Sequence, residues 1–429
     1  MPSDHSEGAV GAVMVVGGGI AGMQASLDLA SNGIKVYLVE SSPAIGGKMV
    51  QLDKTFPTND CATCIVSPKL VDVARNPNIE LLTYSDVLSL TGEVGNVHVK
   101  VRERARYVDR TKCTGCGDCT RACVWKNRVP SEFDVGMAKR AAAYIPFAQA
   151  VPLCATIDPN SCLLLTRGKC AQTCQKACMA KAIDFDQKDK EIEFDVGAVI
   201  LAPGYQVYDA KESEELGFGR YPNVLTSLQF ERLISASGPT RGEVLRPSDQ
   251  QEPHKIAFLQ CVGSRDQKHD YCSSVCCMYS TKEAILAREH APHADISIFM
   301  MDIRAFGKGF DAYYERAQDE YGVKYIRSRP SSIKEIPSSK NLLIRYQAED
   351  GRILEEEFDL VVLAVGIEPA KGTKELAERM GVELNSNGFC RTTKFAALQT
   401  NRPGVFACGP FVEPMDIPDS VMMSSGAAA

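Results

Sequence analysis

The sequence predicts an α/β fold: two parallel-sheet units, the first interrupted by a small α+β insert rich in cysteine. Three observations carry that reading. Val13–Val16 runs into a glycine-rich turn and a helical stretch, the opening of a β-α-β unit. Lys255–Gln260 (KIAFLQ) opens a second such unit. Between them, cysteines crowd into residues 113–178.

Length and composition set the bounds. The 429 residues leave room for several domains of roughly 100–200 residues each. Hydrophobic residues are 45% and charged residues 24%, which excludes a disordered or collagen-like chain. The longest apolar runs, Ala198–Ala202 and Leu360–Val365, fall far short of the roughly 20 residues a membrane span needs. A net charge of −6 favours neither nucleic acid nor an anionic membrane as partner. Met1–Gly11 is polar and lacks the basic-then-apolar pattern of a leader, so a cytoplasmic protein is expected. Seventeen cysteines in a reducing compartment, an odd number tightly grouped, point to metal or cluster ligation rather than disulfides.

The first unit is Val13–Val16, Gly17-Gly18-Gly19-Ile20-Ala21-Gly22, a helix over Ala21–Ala30, and a strand Lys35–Glu40 ending in an acid. Gly17 permits the tight turn, Gly19 lets backbone approach a pyrophosphate, and Gly22 lets helix and strand pack closely. Phosphate charge would face the helix N-terminus, and Glu40 would accept hydrogen bonds from an adenosine ribose. Glu40 is followed by a loop with the glycine pair Gly46-Gly47 and then Lys48. This pattern resembles the FAD-binding half of two-dinucleotide flavoproteins. Val196–Gly204 (VGAVILAPG) and Asp359–Pro369 (DLVVLAVGIEP) resemble the crossover strands of the thioredoxin reductase family. Gly404–Gly409 resembles the late strand that places a glycine, here Gly409, at the flavin ribityl chain. The family's usual Asp after that glycine is replaced by Pro410.

Cys113, Cys116, Cys119 and Cys123 have bacterial ferredoxin spacing, although Val124 stands where proline normally follows. Zinc is the alternative, but four cysteines in eleven residues at this spacing suit a cubane better. Cys162, Cys170, Cys174 and Cys178 form an irregular second half, and Ala182–Phe185 reads as the strand closing it. Crossed ligation would assign Cys113, Cys116, Cys119 and Cys178 to one cluster and Cys162, Cys170, Cys174 and Cys123 to another. One cluster plus a degenerate, metal-free half is the alternative. Cys154 fits neither set and reads as a small buried side chain.

A nicotinamide-binding unit would place a GxGxxG or GxGxxA turn after Lys255–Gln260. The sequence has Cys261-Val262-Gly263-Ser264-Arg265, which lacks the glycines for backbone approach. Cys272, Cys276 and Cys277 follow, then a helix over Ser280–Glu289. These four cysteines read as ligands of a further iron–sulfur cluster; a thiol–disulfide pair is the alternative, awkward for the adjacent Cys276-Cys277. Cys61 and Cys64 form a CxxC that could be a redox pair, half of a site completed by another chain, or structural.

The chain as a whole resembles the family of heterodisulfide reductase A subunits. The matching stretches are Leu52–Leu70, Tyr107–Cys119, Pro222–Pro239, Gln260–Asp266 (QCVGSRD), Tyr271–Glu283 (YCSSVCCMYSTKE) and Met301–Gly309. The resemblance implies a thioredoxin-reductase-like flavoprotein with an inserted two-cluster ferredoxin-like domain. It implies FAD, two or three 4Fe-4S clusters, and cluster ligation by Cys261, Cys272, Cys276 and Cys277. It also makes Lys282, five residues after Cys277, a candidate cation near flavin N5; otherwise it is a solvated helix lysine.

The expected domains are FAD-binding parts over 1–106, 189–250 (a second part and a linker) and 369–429, the insert over 107–188, and a second Rossmann-like domain over 251–368. The short form is similar to flavoprotein subunits of quinone-interacting oxidoreductases and class II benzoyl-CoA reductase complexes. The expected function is electron transfer between a two-electron flavin and one-electron clusters, with bifurcation as an extension. A self-sufficient pyridine nucleotide-disulfide oxidoreductase is the alternative. Expected partners are further subunits of a complex or ferredoxin and flavin donors, with homo-oligomerisation within it and membrane attachment only through partners. Asp416–Asp419 reads as the entry to a helix aimed at the flavin pyrimidine ring, and its short remainder, ending at Ala429, predicts a fragment.

Overall fold

The computed structural model describes residues 9–429. Most of Met1–Gly11, read above as lacking a leader, lies outside the described residues. Two five-stranded parallel sheets organise the chain. The first has the order Val405–Ala407, Ala198–Leu201, Ala12–Val16, Lys35–Glu40, Ile79–Thr83. Its strands are near-continuous Val, Ile and Leu because both faces are covered. One face packs on the helices Ile20–Ser31, Ala62–Arg75 and Ile417–Ala428. The other packs on an antiparallel layer of Ser85–Glu93, Asn96–Glu103 and Lys190–Val196 and on the helix Thr373–Met380.

The second sheet has the order Val224–Thr226, Leu360–Val365, Lys255–Val262, Asp295–Met300, Lys324–Arg327. This differs from the expected boundaries. Val224–Thr226 lay within the 189–250 segment assigned to the first domain and a linker, yet it pairs in parallel with Val361–Leu363. At three residues it is too short to show a pattern of its own; only its partner strand reveals it. The two crossovers between sheets lie side by side, Tyr205–Val207 antiparallel to Ile367–Pro369.

The cysteine-rich stretch leaves the antiparallel layer after Glu103 and returns at Lys190, and these two residues are register partners. Its elements are short: helices Asp118–Ala122, Leu163–Arg167 and Thr173–Ala177 and a strand pair Ala143–Tyr144 with Thr156–Ile157. Ala182–Phe185, expected as a strand, makes a single bridge, Ile183 to Val108. The core of this unit is Cys119, Cys123, Cys154, Cys162 and Cys174 among alanines and a few aliphatics. So little apolar volume is a weak core for its length, the situation in which metal ligation usually supplies folding energy. Buried Arg106 fastens it to the first sheet, donating to Thr83 Oγ1 at 2.7 Å, Thr156 Oγ1 at 3.0 Å and the Pro43 carbonyl at 2.9 Å.

Candidate functional site

A cavity of about 1510 Å³ lies where the first sheet, the insert and the second sheet meet. Gly17, Gly19 and Gly47 line one end. Gly17 has φ +108°, and a Cβ there would stand 2.1 Å from the Ala202 carbonyl oxygen. Gly19 faces open space, its nearest neighbour being Gly47 at 3.9 Å, so backbone is bare where a pyrophosphate would lie. Gly22 stands behind the wall; a Cβ would meet the Gly17 oxygen at 1.8 Å. Glu40 lines the cavity with its carboxylate pinned, accepting from the Gly18 and Ser42 backbone N–H groups at 2.6 Å each. Lys48 lines it too, and burial pushes its ammonium below the usual lysine range.

Gly204, at φ +74°, lines the same cavity. Gly409 packs behind the wall, 3.1 Å from the Ala21 Cβ by its own virtual Cβ, and Pro410 presents itself to the cavity instead. The helix Ile417–Ala428 begins at the cavity rim. Asp416 caps it, accepting from the Asp419 N–H at 2.9 Å, and Asp416, Ile417, Pro418 and Ser420 line the wall. These glycines, the bare backbone and the fixed carboxylate fit a dinucleotide such as FAD.

The far wall comes from the second sheet. Val275, just before the helix Cys276–His290, and Tyr279, Lys282 and Glu283 in its first half line the cavity. This helix begins four residues earlier than expected, so Cys276 and Cys277 sit in its first turn. Lys282 is 1% exposed and is not a solvated lysine. Its ammonium donates to the Lys54 carbonyl at 2.9 Å and forms a close ion pair with Glu231, itself 2% exposed. Glu231 also accepts from the Asp53 N–H at 3.0 Å. Burial, then the Glu231 charge, hold the Glu283 carboxyl well above the ordinary range. Sequence reasoning missed Glu231 and Glu283. Glu231 lies on the helix Ser227–Ile234 and Glu283 on Cys276–His290, and the packing of these two helices buries both.

The cysteines gather in three sets. Cys113, Cys116, Cys119 and Cys178 line a second cavity of about 230 Å³ walled by Val108, Ala155, Ala182 and Ile183. Burial pushes the Cys174 thiol up to about 11, and its neighbours Cys123, Cys162 and Cys170 add to the shift. Burial likewise pushes Cys277 up to about 11, with Cys261 and Cys272 beside it, and raises Cys276 next to Cys261, Cys277 and Cys272. Cys261 is held at φ +60°, a conformation a non-glycine residue keeps only where its surroundings impose it. Among the described residues no three Cys, His, Asp or Glu groups converge as one metal ion would require. The donor sets, four thiols each and most of them buried or half-buried, suit clusters better than a tetrahedral zinc. Ligation would have to displace the thiol protons that burial retains.

Two further features bear on the site. After Lys255–Val262 the turn at Gly263 is closed: a Cβ there would meet the Tyr208 ring at 2.1 Å. A nucleotide has no backbone to approach at that turn. Cys61 and Cys64 are exposed, their sulfurs 2.7 Å apart at the N-terminus of the helix Ala62–Arg75, and their neighbours Asp60 and Ile65 line the large cavity. Cys154 is buried beside Cys113.

Two parallel-sheet domains joined by a pair of crossovers, with a nucleotide cradle at the first, define a thioredoxin-reductase-like fold. The family model described as FAD dependent oxidoreductase matches residues 12–67, and that described as pyridine nucleotide-disulphide oxidoreductase matches residues 281–428. A thioredoxin reductase from Lactococcus lactis shares the fold at TM-score 0.53 and 15% identity, covering 98% of this chain and 97% of that one.

More particularly, the chain is homologous along 97% of its length to curated proteins named as the A subunits of heterodisulfide reductases. It is 49% identical to the iron-sulfur A subunit of the CoB–CoM heterodisulfide reductase of Methanocaldococcus jannaschii, covering 63% of that protein. It is 46% identical to the A subunit of the H2:CoB-CoM heterodisulfide,ferredoxin reductase of Methanothermobacter marburgensis, covering 62% of it. The chain thus spans less than two thirds of these relatives. No helix among the described residues is long and apolar enough to cross a membrane.

Proposed function

We propose that the chain is the FAD- and iron–sulfur-bearing electron-transfer part of a heterodisulfide-reductase-like complex. The observation that carries this is one cavity walled by the Gly17–Gly22 turn, by the insert, and by the helix that begins with Cys276 and Cys277. A bound flavin supplies electrons in pairs that it can release singly, and iron–sulfur clusters take one each. The residues divide the work. Gly17, Gly19, Gly22 and Gly47 make room for the dinucleotide, and Glu40 orients its ribose. Lys282, held by Glu231, presents a cation to the ring system, and Tyr279 and Val275 keep water from the space between cavity and thiols. The residues that would hold clusters are Cys113, Cys116, Cys119 and Cys178 in one set, and Cys123, Cys162, Cys170 and Cys174 in a second. Cys261, Cys272, Cys276 and Cys277 make the third.

Two exits from one flavin, through the insert and through the 261/272/276/277 set, would also permit bifurcation. The partners are other subunits of the complex, with a second copy of the chain among them. Protein purified without oxygen should carry one FAD and about eight to twelve irons per chain with matching sulfide. Flavin with negligible iron overturns the reading.

The second reading, a pyridine nucleotide-disulfide oxidoreductase acting alone, is favoured by the family description matched at residues 281–428 and by the exposed Cys61–Cys64 pair. The closed turn at Gly263 weighs against it. Rapid reduction of a yellow, iron-poor protein by NADPH would establish it.

A further inference from the structure

Glu283 lines the large cavity at 1% exposure, yet no cation pairs with it among the described residues. The neighbouring Lys282 ammonium is committed to Glu231 and to the Lys54 carbonyl. Glu283 Oε2 is buried without a hydrogen-bond partner. The titratable groups that face Glu283 are Glu231, within hydrogen-bonding reach from the helix Ser227–Ile234, and Lys282 and Tyr279 from its own helix. Two buried carboxyls thus share one lysine. With both ionised, an uncompensated negative charge would sit out of water, so one of them keeps its proton. Burial, then the Glu231 charge, make Glu283 the one that does. A protonated acid in a cavity wall, with one oxygen unpartnered and a lysine beside it, is placed to give its proton to what fills the cavity.

We propose that Glu283 is the proton donor to the flavin ring system when the ring takes up a pair of electrons. The assignment rests on the flavin reading given above. Two reduced one-electron donors, iron–sulfur centres in the complex, are each oxidised by one equivalent and supply the pair. One N–H bond forms on the ring, the O–H bond of Glu283 breaks, and the reduced ring keeps one negative charge that the Lys282 cation offsets. A proton from solvent then restores Glu283, because two ionised carboxyls beside one lysine are unfavourable out of water. Asp53 connects the pair to the surface: it is half-buried, and its backbone N–H donates to Glu231 at 3.0 Å. Lys282 is the poorer donor, since losing its proton would leave Glu231 buried and unpaired.

The test uses the full chain, loaded with FAD and iron and kept from oxygen, and methyl viologen radical as the one-electron reductant. Stopped-flow absorbance follows the flavin. Glu283→Gln keeps the size of the side chain but has no proton to give, and its flavin should be reduced at least about tenfold more slowly. The wild-type rate should hold steady between about pH 6 and 8, while that of Glu283→Gln should fall as pH rises, because its proton must come from solution. Glu283→Asp, which keeps an acid, should be slowed less and stay steady. A second readout needs no turnover: the oxidised wild type should show the infrared carbonyl band of a protonated carboxyl group, shifted in D2O and missing from Glu283→Gln. FAD-loaded Glu283→Gln that is reduced at the wild-type rate overturns the proposal. So does a slow variant with the wild-type pH profile, which would make Glu283 merely structural, and so does a wild type without the carboxyl band. A wild-type chain that holds no FAD overturns the flavin reading itself.

Discussion

The Lys282–Glu231 pair offers a measurable consequence. Both side chains are 1–2% exposed, so neither charge can turn to water when its partner is removed. Breaking a buried pair from one side costs about 3–5 kcal/mol, because the survivor is left buried and uncompensated. Lys282→Met and Glu231→Gln should each fall in that range, measured by urea unfolding of the FAD-loaded protein. The double variant removes both charges, while the amide oxygen that replaces the Glu231 carboxylate still accepts from the Asp53 N–H. It should therefore recover about 2 kcal/mol or more of the summed loss. Lys282→Met should also shift the flavin midpoint potential. Single variants that each cost less than about 1 kcal/mol, the worth of an exposed pair, and that simply add, would refute the argument. An unchanged potential would remove Lys282 from the flavin's surroundings.

Gly22→Ala should purify with little FAD, since its methyl group would overlap the Gly17 carbonyl; normal flavin content would count against the cradle. Cys174→Ser and Cys178→Ser should each lower iron by about one cluster, whereas Cys154→Ala should leave it intact; under crossed ligation the Cys174→Ser, Cys178→Ser double variant should lose about two clusters of iron, and a loss of only one would assign both thiols to the same cluster. Glu283 keeps a proton in the folded chain that the unfolded chain releases above the ordinary carboxylate value. The unfolded state therefore binds fewer protons, and stability falls as pH rises from that value. Glu283→Gln should flatten this decline over about pH 5–8 in urea titrations; an unchanged slope would assign the decline to another group.

Much of this was legible in the residues. The strand, turn, helix and acid of Val13–Glu40 form local structure, and their spacing alone dictates the cradle. The cysteine spacings mark sets that the fold draws together across more than fifty residues, as Cys113 and Cys178 do in one small cavity. What was not legible depends on pairing at a distance. Val224–Thr226 is assigned only by Leu360–Val365 beside it. Glu231 is buried only because two helices meet. Gly409 matched a pattern in sequence, yet Pro410 faces the cavity, because the backbone enters a short 3-10 turn at that point.

The neck of the insert has a topological consequence. Glu103 and Lys190 are antiparallel partners, so their Cα atoms stand about 5 Å apart. A two-residue turn could bridge that gap as readily as the intervening 86 residues do. The whole thiol-bearing module is in effect an oversized hairpin tip. A lineage could acquire, exchange or discard it without re-threading a single strand of the sheets on either side.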